Sequence, residues 1–400
     1  MPALGTAVVD GRGFRRARRG HPWLHRENVV EIDAAPGSIV RVFDRAGTFA
    51  CWAACSPASR IPLRRVSRAD VPPDAAFWRE RLSRCAERRD PLPRQGSRRL
   101  VNADAEGLPG LTVDWYAGHV VYQATTAWAD RAAPELLPVL AERLGAISVL
   151  ARNDVPVRKL EDLPLEVIDL IGATPGEIVV ENAGVLRDVD PRRGHKTGLY
   201  LDQQVNQARA AGWLHGEVLD LFSGEGGFSV PLAVAGRRVL AADQSGAGLT
   251  RARRAAERAG VAGRIEWFEG NAFDLLARLE GEGRRFDAVI ADPPPFARRR
   301  DKARPATKAY KDVHRRALRL VKEGGRMLSF CCSFHIDAQS FEEAARAGAE
   351  EAGRLCRVIE RPGAAPDHPE RLELPESRYL KGLLIEIEAE EAGGRGGGSC

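Results

Sequence analysis

No apolar run in this 400-residue chain approaches the roughly 20 consecutive residues that a membrane-spanning helix needs, although 44% of its residues are hydrophobic. The opening MPALGTAVVDGRGFRRARRG has charges with no apolar segment behind them, so it does not read as a secretory signal. Both features point to a cytoplasmic protein. The seven cysteines are odd in number and form no C-x-x-C pair. Cys51 and Cys55 lie in an apolar run typical of a small core strand, so neither a disulfide framework nor a zinc site is indicated, and no metal is expected. Internal repeats are absent as well. Lysine is scarce, 7 residues against 53 arginines, and none falls in the first 90 positions.

What is present sorts by region. Four hundred residues exceed one ordinary core and imply two or three domains. Residues 1–90 hold seventeen Arg against ten Asp or Glu, a local charge of +7, whereas the whole chain sums to +5. A genome rich in arginine codons explains Arg over Lys but not this surplus over acids. Arg12, Arg15, Arg16, Arg18 and Arg19 stand close enough in sequence to contact a phosphate backbone together, and guanidinium forks match phosphate oxygens.

Residues 1–72 carry short β-like runs (GSIVRVFD, GTFACWAACS, IPLRRVS) between Gly and Pro turns, which predicts a small β-barrel. Residues 73–184 begin with a polar helix, DAAFWRERLSRCAERRDPL. They continue with strand, hairpin and helix patterns, the last in WADRAAPELLPVLAERLG, which together predict a central α+β domain. From 185 to 390 strand and helix patterns alternate, as in a doubly wound, Rossmann-like α/β sheet. Residues 391–400, EAGGRGGGSC, read as a flexible tail.

The last region holds a nucleotide-type loop. VLDLFSGEGGFSV puts Asp220 at the end of an apolar strand, with Gly224, Gly226 and Gly227 in the turn before a helix. Glycines there let the backbone pass close to a ligand. A dinucleotide-binding G-x-G-x-x-G would need glycine at position 229, where Ser229 stands, so the loop fits S-adenosylmethionine better. Asp243 ends the next strand about 20 residues on, where a carboxylate can accept both ribose hydroxyls. Asn271 is a candidate for the adenine amino group, with a turn role as the alternative.

After the fourth strand of that region comes ADPPPF, which sets Asp292, Pro293, Pro294 and Phe296 in a stiff loop suited to a planar base edge. Such loops serve several base methylations. The next apolar strand ends in FCCSFHID. Cytosine C5 is a poor nucleophile, and attack of a thiolate on C6 makes it an enamine that can accept a methyl group. A reactive thiolate needs a cationic or hydrogen-bonded setting, for which His335, Lys308 and Lys311 are local sources. Strand alternation turns one of Cys331 and Cys332 away from the site, as a packing residue. The residues therefore point to RNA cytosine C5 methylation.

On these motifs the chain resembles the bacterial 23S rRNA (cytosine-C5)-methyltransferase I family. RRARRGHPWLHRENV and CSPASRIPLRRVS resemble that family's N-terminal PUA domain, and RLVNADAEGLPGLTVDWY and NDVPVRKLEDL its central domain. GHKTGLYLDQQVN, LDLFSGEGGF, DPPPFARRR, AYKDVHRRAL, FCCSF and RYLKGLL follow its catalytic domain in order, so the likeness runs from about residue 12 to about 388. It implies a PUA module for RNA, an S-adenosylmethionine site and 23S rRNA as partner, and it is compatible with a homodimer. The family's F-S-C-S pattern aligns with Phe330, Cys331, Cys332 and Ser333, which makes Cys332 the nucleophile and puts Cys331 where the family has serine. Lys196, Thr197, Gly198, Tyr200, Gln203 and Phe222 are implied to border the cofactor, with a structural hairpin as the alternative for the GHKTGLYLDQQ segment, 194–204. Asp292 is implied in both the cofactor cleft and the bond to the cytosine edge. Pro293, Pro294, Phe296, Lys308 and Lys311 are implied on the RNA side.

Related enzymes have a second cysteine after the two prolines to help release product. This chain has Pro295 there, so the base that removes the C5 proton is unassigned. Three alternatives stay open: methylation of a guanine or adenine nitrogen by a related fold, C5 methylation of tRNA or uridine, and a catalytically silent RNA-binding assembly factor.

Overall fold

A computed structural model describes residues 4–194, 196–296 and 303–389. The expected tail at 391–400 and the ARRR run after Phe296 lie outside these residues. The chain divides into two compact units. The first holds the chain up to Asn182 together with Asp188–Leu201 and Pro366–Ser377; the second holds Ala183–Arg187, Asp202–Ala365 and the chain from Arg378 onward.

In the first unit, β1 (Leu4–Val9), β2 (Trp23–Leu24), β3 (Val29–Asp33), β4 (Ile39–Phe43), β5 (Phe49–Cys55) and β6 (Leu63–Ser67) form one sheet in the order β2-β6-β5-β4-β1-β3. Cys51 and Cys55 are free, fully buried thiols in β5, both pushed up to about 12 by burial. The arginine-rich segment between β1 and β2 is a helix, α1 (Gly11–Arg18), which the β-like patterns around it did not reveal. Asp10 starts it by accepting the Gly13 N–H at 2.6 Å, and only Gly13 and Ala17 are buried, so its apolar stripe is too narrow to show as periodicity.

α2 (Ala75–Glu87), capped by Asp74, leads into β7 (Ser97–Asn102), β8 (Leu111–Tyr116), β9 (His119–Ala124), α3 (Ala127–Leu144), β10 (Ser148–Arg152) and β11 (Val167–Ile171). The five strands pair in the order β11-β10-β9-β8-β7. Trp78 of α2 and Trp128 of α3, with ring centroids 4.4 Å apart, anchor the core that joins this sheet to the helices. A hairpin, β12 (Ile178–Asn182) and β13 (Val185–Val189), follows.

The second unit is the doubly wound sheet. It comprises α4 (Gln204–Trp213), β14 (Glu217–Leu221), α5 (Ser229–Val234), β15 (Arg238–Asp243), α6 (Gly246–Arg258), β16 (Ile265–Glu269), α7 (Ala272–Gly281) and β17 (Phe286–Ala291). These lead on to α8 (Ala303–Leu320), β18 (Val321–Cys331), α9 (Ala338–Ala352), β19 (Cys356–Glu360) and β20 (Lys381–Ile387). The strand order is β16-β15-β14-β17-β18-β20-β19, with β20 antiparallel to both neighbours and the other pairs parallel. Alternate residues feed opposite faces. Leu219, Leu221, Val289, Ala291, Met327 and Cys331 join one core, while Val218, Ala288, Ile290, Leu328 and Phe330 join the other. Burial on both faces explains why these strands read as continuous apolar runs. Full burial of each large side chain contributes about 1.5–3 kcal/mol. Strand order reverses between β14 and β17, so the loops after Leu221 and Ala291 flank the crevice where doubly wound sheets bind ligands.

Candidate active site

Beyond β14 the chain turns sharply. Phe222, Gly224 and Gly226 adopt left-handed φ values of +63°, +56° and +73°. A Cβ on Gly226 would come 2.9 Å from the Ala252 Cβ of α6, whereas one on Gly224 would meet nothing within 4 Å. Gly226 thus serves packing, and Gly224 faces open space. Beneath the loop, buried Arg187 donates to the carbonyls of Glu225, Gly226 and Gly227 at 3.1, 3.2 and 3.1 Å, which gathers the loop's acceptors on one side. Burial lowers the Arg187 guanidinium to about 10, so it stays charged at neutral pH.

Asp243 is half-buried at the end of β15 and accepts the Gly224 and Ser245 N–H groups, each at 2.8 Å. Asp220 is 1% exposed and accepts the Ser229 hydroxyl; burial, reinforced by Asp292 and Asp243, pushes its carboxyl up to about 7. Ser223 Oγ, in the same loop, is buried with no hydrogen-bond partner among the described residues. An open glycine edge, a carboxylate one strand over and an unsatisfied hydroxyl fit a cofactor with ribose hydroxyls and an amino-acid end, as S-adenosylmethionine has. Asn271 stands at the end of β16, where its Oδ1 accepts the Phe273 N–H at 2.8 Å and starts α7, so the turn role is the one seen. The Phe222 ring meets Phe273 edge-on, with centroids 6.4 Å apart.

Across the switch point, register pairs Ala291 of β17 with Ser329 of β18, so the loop after Ala291 lies level with the end of the cysteine strand. The Cys332 thiol donates to the Pro293 carbonyl at 3.6 Å. Cys331 is fully buried in the core under α8 and α9, while Cys332 is half-buried against the opposite core. Gln203 Nε2 donates to Asp292 Oδ2 at 2.9 Å, and Asn206 Nδ2 holds Gln203 Oε1 at 2.7 Å and Gly363 O at 2.9 Å. Pro293 is buried and Pro294 exposed. Phe296 packs its ring on Tyr310 at 4.8 Å and on Phe273 at 6.5 Å, so it anchors the loop to the core. Lys308 is exposed on α8, and Lys311 pairs with Glu351 of α9 at 2.7 Å. His335 lies edge-on to Phe334, with centroids 5.2 Å apart.

The remaining expected residues lie in the first unit. Arg12, Arg15, Arg18 and Arg19 are exposed on or just after α1. Arg16 differs: its guanidinium donates to the Trp23 carbonyl at 2.8 Å and to His21 at 2.6 Å, a structural task that takes it out of the phosphate-facing set. Thr197 is fully buried and donates to Asp114, which also receives Arg99 at 2.8 and 2.9 Å, while Tyr116 OH accepts the Leu199 N–H at 3.1 Å. The segment around Thr197 and Gly198 is therefore tied into the central sheet. Lys196 has φ of +52° and sets its ammonium 4.7 Å from the ring centroid of the exposed Tyr200.

Arg187 and Asn206 were not anticipated from sequence. An arginine directly after the apolar run AGVL is the trace Arg187 leaves; Asn206 leaves none, because its Gly363 partner lies far along the chain.

Comparison with known proteins agrees with this architecture. Residues 8–68 match the PUA-like domain family, and residues 215–296 match the RNA cap guanine-N2 methyltransferase family. In overall fold the chain is similar to a protein assigned as a methyltransferase and crystallised with SAH, with TM-score 0.83 at 18% identity over 96% of this chain and all of the other. A SAM-dependent methyltransferase assignment from Streptococcus mutans gives TM-score 0.82 at 17% identity over the same shares. In sequence it is 36% identical to ribosomal RNA large subunit methyltransferase I of Shewanella amazonensis, over 92% of this chain and 96% of the relative. It is 34% identical to the protein of that name from Vibrio cholerae, over 95% and 98%. Identity at this level across nearly both whole chains means that the protein belongs to the ribosomal RNA large subunit methyltransferase I family.

Proposed function

We propose that this protein methylates C5 of a cytosine in large-subunit ribosomal RNA, with Cys332 as covalent nucleophile. The methyl donor is S-adenosylmethionine, which when bound supplies an electrophilic methyl group. Asp243 and the loop Ser223–Gly227 are the residues that would hold it. The observation that carries the cytosine reading is the Cys332 thiol 3.6 Å from the Pro293 carbonyl, a nucleophile set against the loop suited to a base. As thiolate, Cys332 forms a bond to C6 of the ring, and the electron pair moved to C5 makes that carbon nucleophilic. Asp292, steadied by Gln203, faces the amino edge of the base and accepts from it. Once C5 carries the methyl group, loss of the C5 proton restores the double bond and expels the thiolate. Exposed Arg12, Arg15, Arg18 and Arg19 bind RNA phosphates.

A second reading, transfer to a base nitrogen, is favoured by one observation, the match of residues 215–296 to a guanine-N2 family. Nucleoside mass spectrometry of large-subunit RNA treated with the enzyme separates the two. 5-Methylcytidine is expected from the wild type and from Cys331→Ala, and none from Cys332→Ala. A methylated purine, or full activity of Cys332→Ala, overturns the cytosine reading.

A further inference from the structure

β20, KGLLIEI, opens on a charged residue that is buried. Lys381 is 6% exposed, and its ammonium donates to the carbonyls of Ser333 at 2.8 Å and Ile336 at 2.7 Å. Those carbonyls belong to the turn that follows Cys332, closed on itself by the Ile336 N–H donating to Ser333 O at 3.3 Å. No carboxylate is bonded to Lys381 among the described residues. A buried ammonium satisfied only by neutral carbonyls keeps a full unit of positive charge in a poorly solvated place, which is costly unless an anion forms nearby.

The groups around it narrow that anion to a thiolate. From β18, Cys331 is its register partner, and Cys332 follows directly. From α8, Tyr310 OH shares a hydrogen bond with Ser333 Oγ at 3.2 Å, and burial raises that phenol well above its ordinary range, so it stays neutral. At the start of α9, Asp337 is exposed and its carboxylate is engaged by the Ser340 N–H at 2.7 Å. Arg378, ahead of β20, adds positive charge. Burial lowers the Lys381 ammonium, and Cys331, Cys332 and Asp337 oppose that. Of the two thiols, Cys331 is sealed in the core, and Cys332 alone is partly open to solvent. One partner of the Cys332 thiol, the Pro293 carbonyl, accepts from it and would repel a thiolate, so positive charge nearby favours the ionised form.

We propose that Lys381 is the positioning residue for Cys332, holding the turn behind it and favouring its thiolate form through a buried positive charge. Ionisation breaks the S–H bond and the hydrogen bond to Pro293, and the proton goes to solvent. The proposal rests on the reading of Cys332 as nucleophile, yet it is testable without methyl transfer.

The probe is iodoacetamide, with alkylation of each cysteine followed by peptide mass spectrometry in the full chain across pH 6–9.5. Cys356, also half-buried, has its thiol raised by burial and serves as internal reference. In the wild type Cys332 is expected to react at least about 10-fold faster than Cys356 at pH 7. Equal rates overturn the proposal with no variant needed. Lys381→Gln keeps a donor for the carbonyls and removes the charge; Lys381→Met removes both. Both are expected to slow Cys332 alkylation about 10-fold at pH 7 and to recover near pH 9. If Lys381→Gln alkylates like the wild type at pH 7, or its loss is not recovered at high pH, the charge has no role and the proposal fails. Retained methyl transfer in Cys332→Ala alongside a shifted alkylation profile would sink the cytosine mechanism while leaving the thiolate assignment standing.

Discussion

Gly224 and Gly226 sit two residues apart in one loop with the same left-handed backbone, and exchanging each for alanine should give opposite phenotypes. Both substitutions force an L side chain into the left-handed region, which costs about 1 kcal/mol. At Gly226 the new methyl would also lie 2.9 Å from Ala252 Cβ and 3.0 Å from Val230 Cγ2. Neither of these atoms ends a flexible chain, so overpacking adds about 1–3 kcal/mol and the total reaches about 2–4 kcal/mol. At Gly224 the methyl meets nothing within 4 Å, and the backbone cost stands alone. For a domain of this size the melting temperature falls about 2–4 °C per kcal/mol. Gly226→Ala should therefore melt about 4–16 °C lower, against about 2–4 °C for Gly224→Ala. Binding should run the other way. The open space over Gly224 is where the cofactor is proposed to approach, so its methyl should weaken S-adenosylhomocysteine by about 10-fold or more, equivalent to about 1.4 kcal/mol. Differential scanning fluorimetry and calorimetric titration measure the two quantities. A Gly224→Ala protein that binds within twofold of wild type, or melts below Gly226→Ala, refutes the placement.

Arg187→Met removes three charged hydrogen bonds to the glycine loop and should lower both melting temperature and S-adenosylhomocysteine affinity, the latter about 10-fold, as titration would reveal. Gln203→Leu strips Asp292 of its amide donor; single-turnover methyl transfer should fall about 10- to 100-fold with cofactor affinity within about threefold of wild type. Asp220 carries a pH signature, because a carboxyl raised from 3.8 to about 7 favours its protonated form in the fold. Its contribution is full below the ordinary carboxylate value and is lost as pH rises through about 7, a swing of a few kcal/mol. Asp220→Asn should then melt above the wild type at pH 8, with the gap closing toward pH 4. A gap independent of pH would contradict the assignment.

The strands β14, β15 and β17 were legible in the sequence because parallel strands buried on both faces are nearly all apolar, and their ends are marked by Asp220, Asp243 and Asp292. The glycine loop and the proline loop were legible as well, since both depend on residue types with restricted or unusual backbone freedom. α1 was not, because its buried stripe is only Gly13 and Ala17. Arg16 looked like one more phosphate-binding arginine until the fold turned it onto Trp23 and His21.

Strand alternation alone established that Cys331 and Cys332 must point to opposite faces, since successive side chains in a strand do so whatever surrounds them. Which face meets the proline loop was a matter of register between β17 and β18, set by core packing over residues some forty positions apart. The same holds for Arg187 under the glycine loop, Gln203 on Asp292 and Lys381 behind Cys332. Each of these contacts joins segments distant in sequence, and a hydrogen bond of that kind leaves no local pattern for the sequence to display.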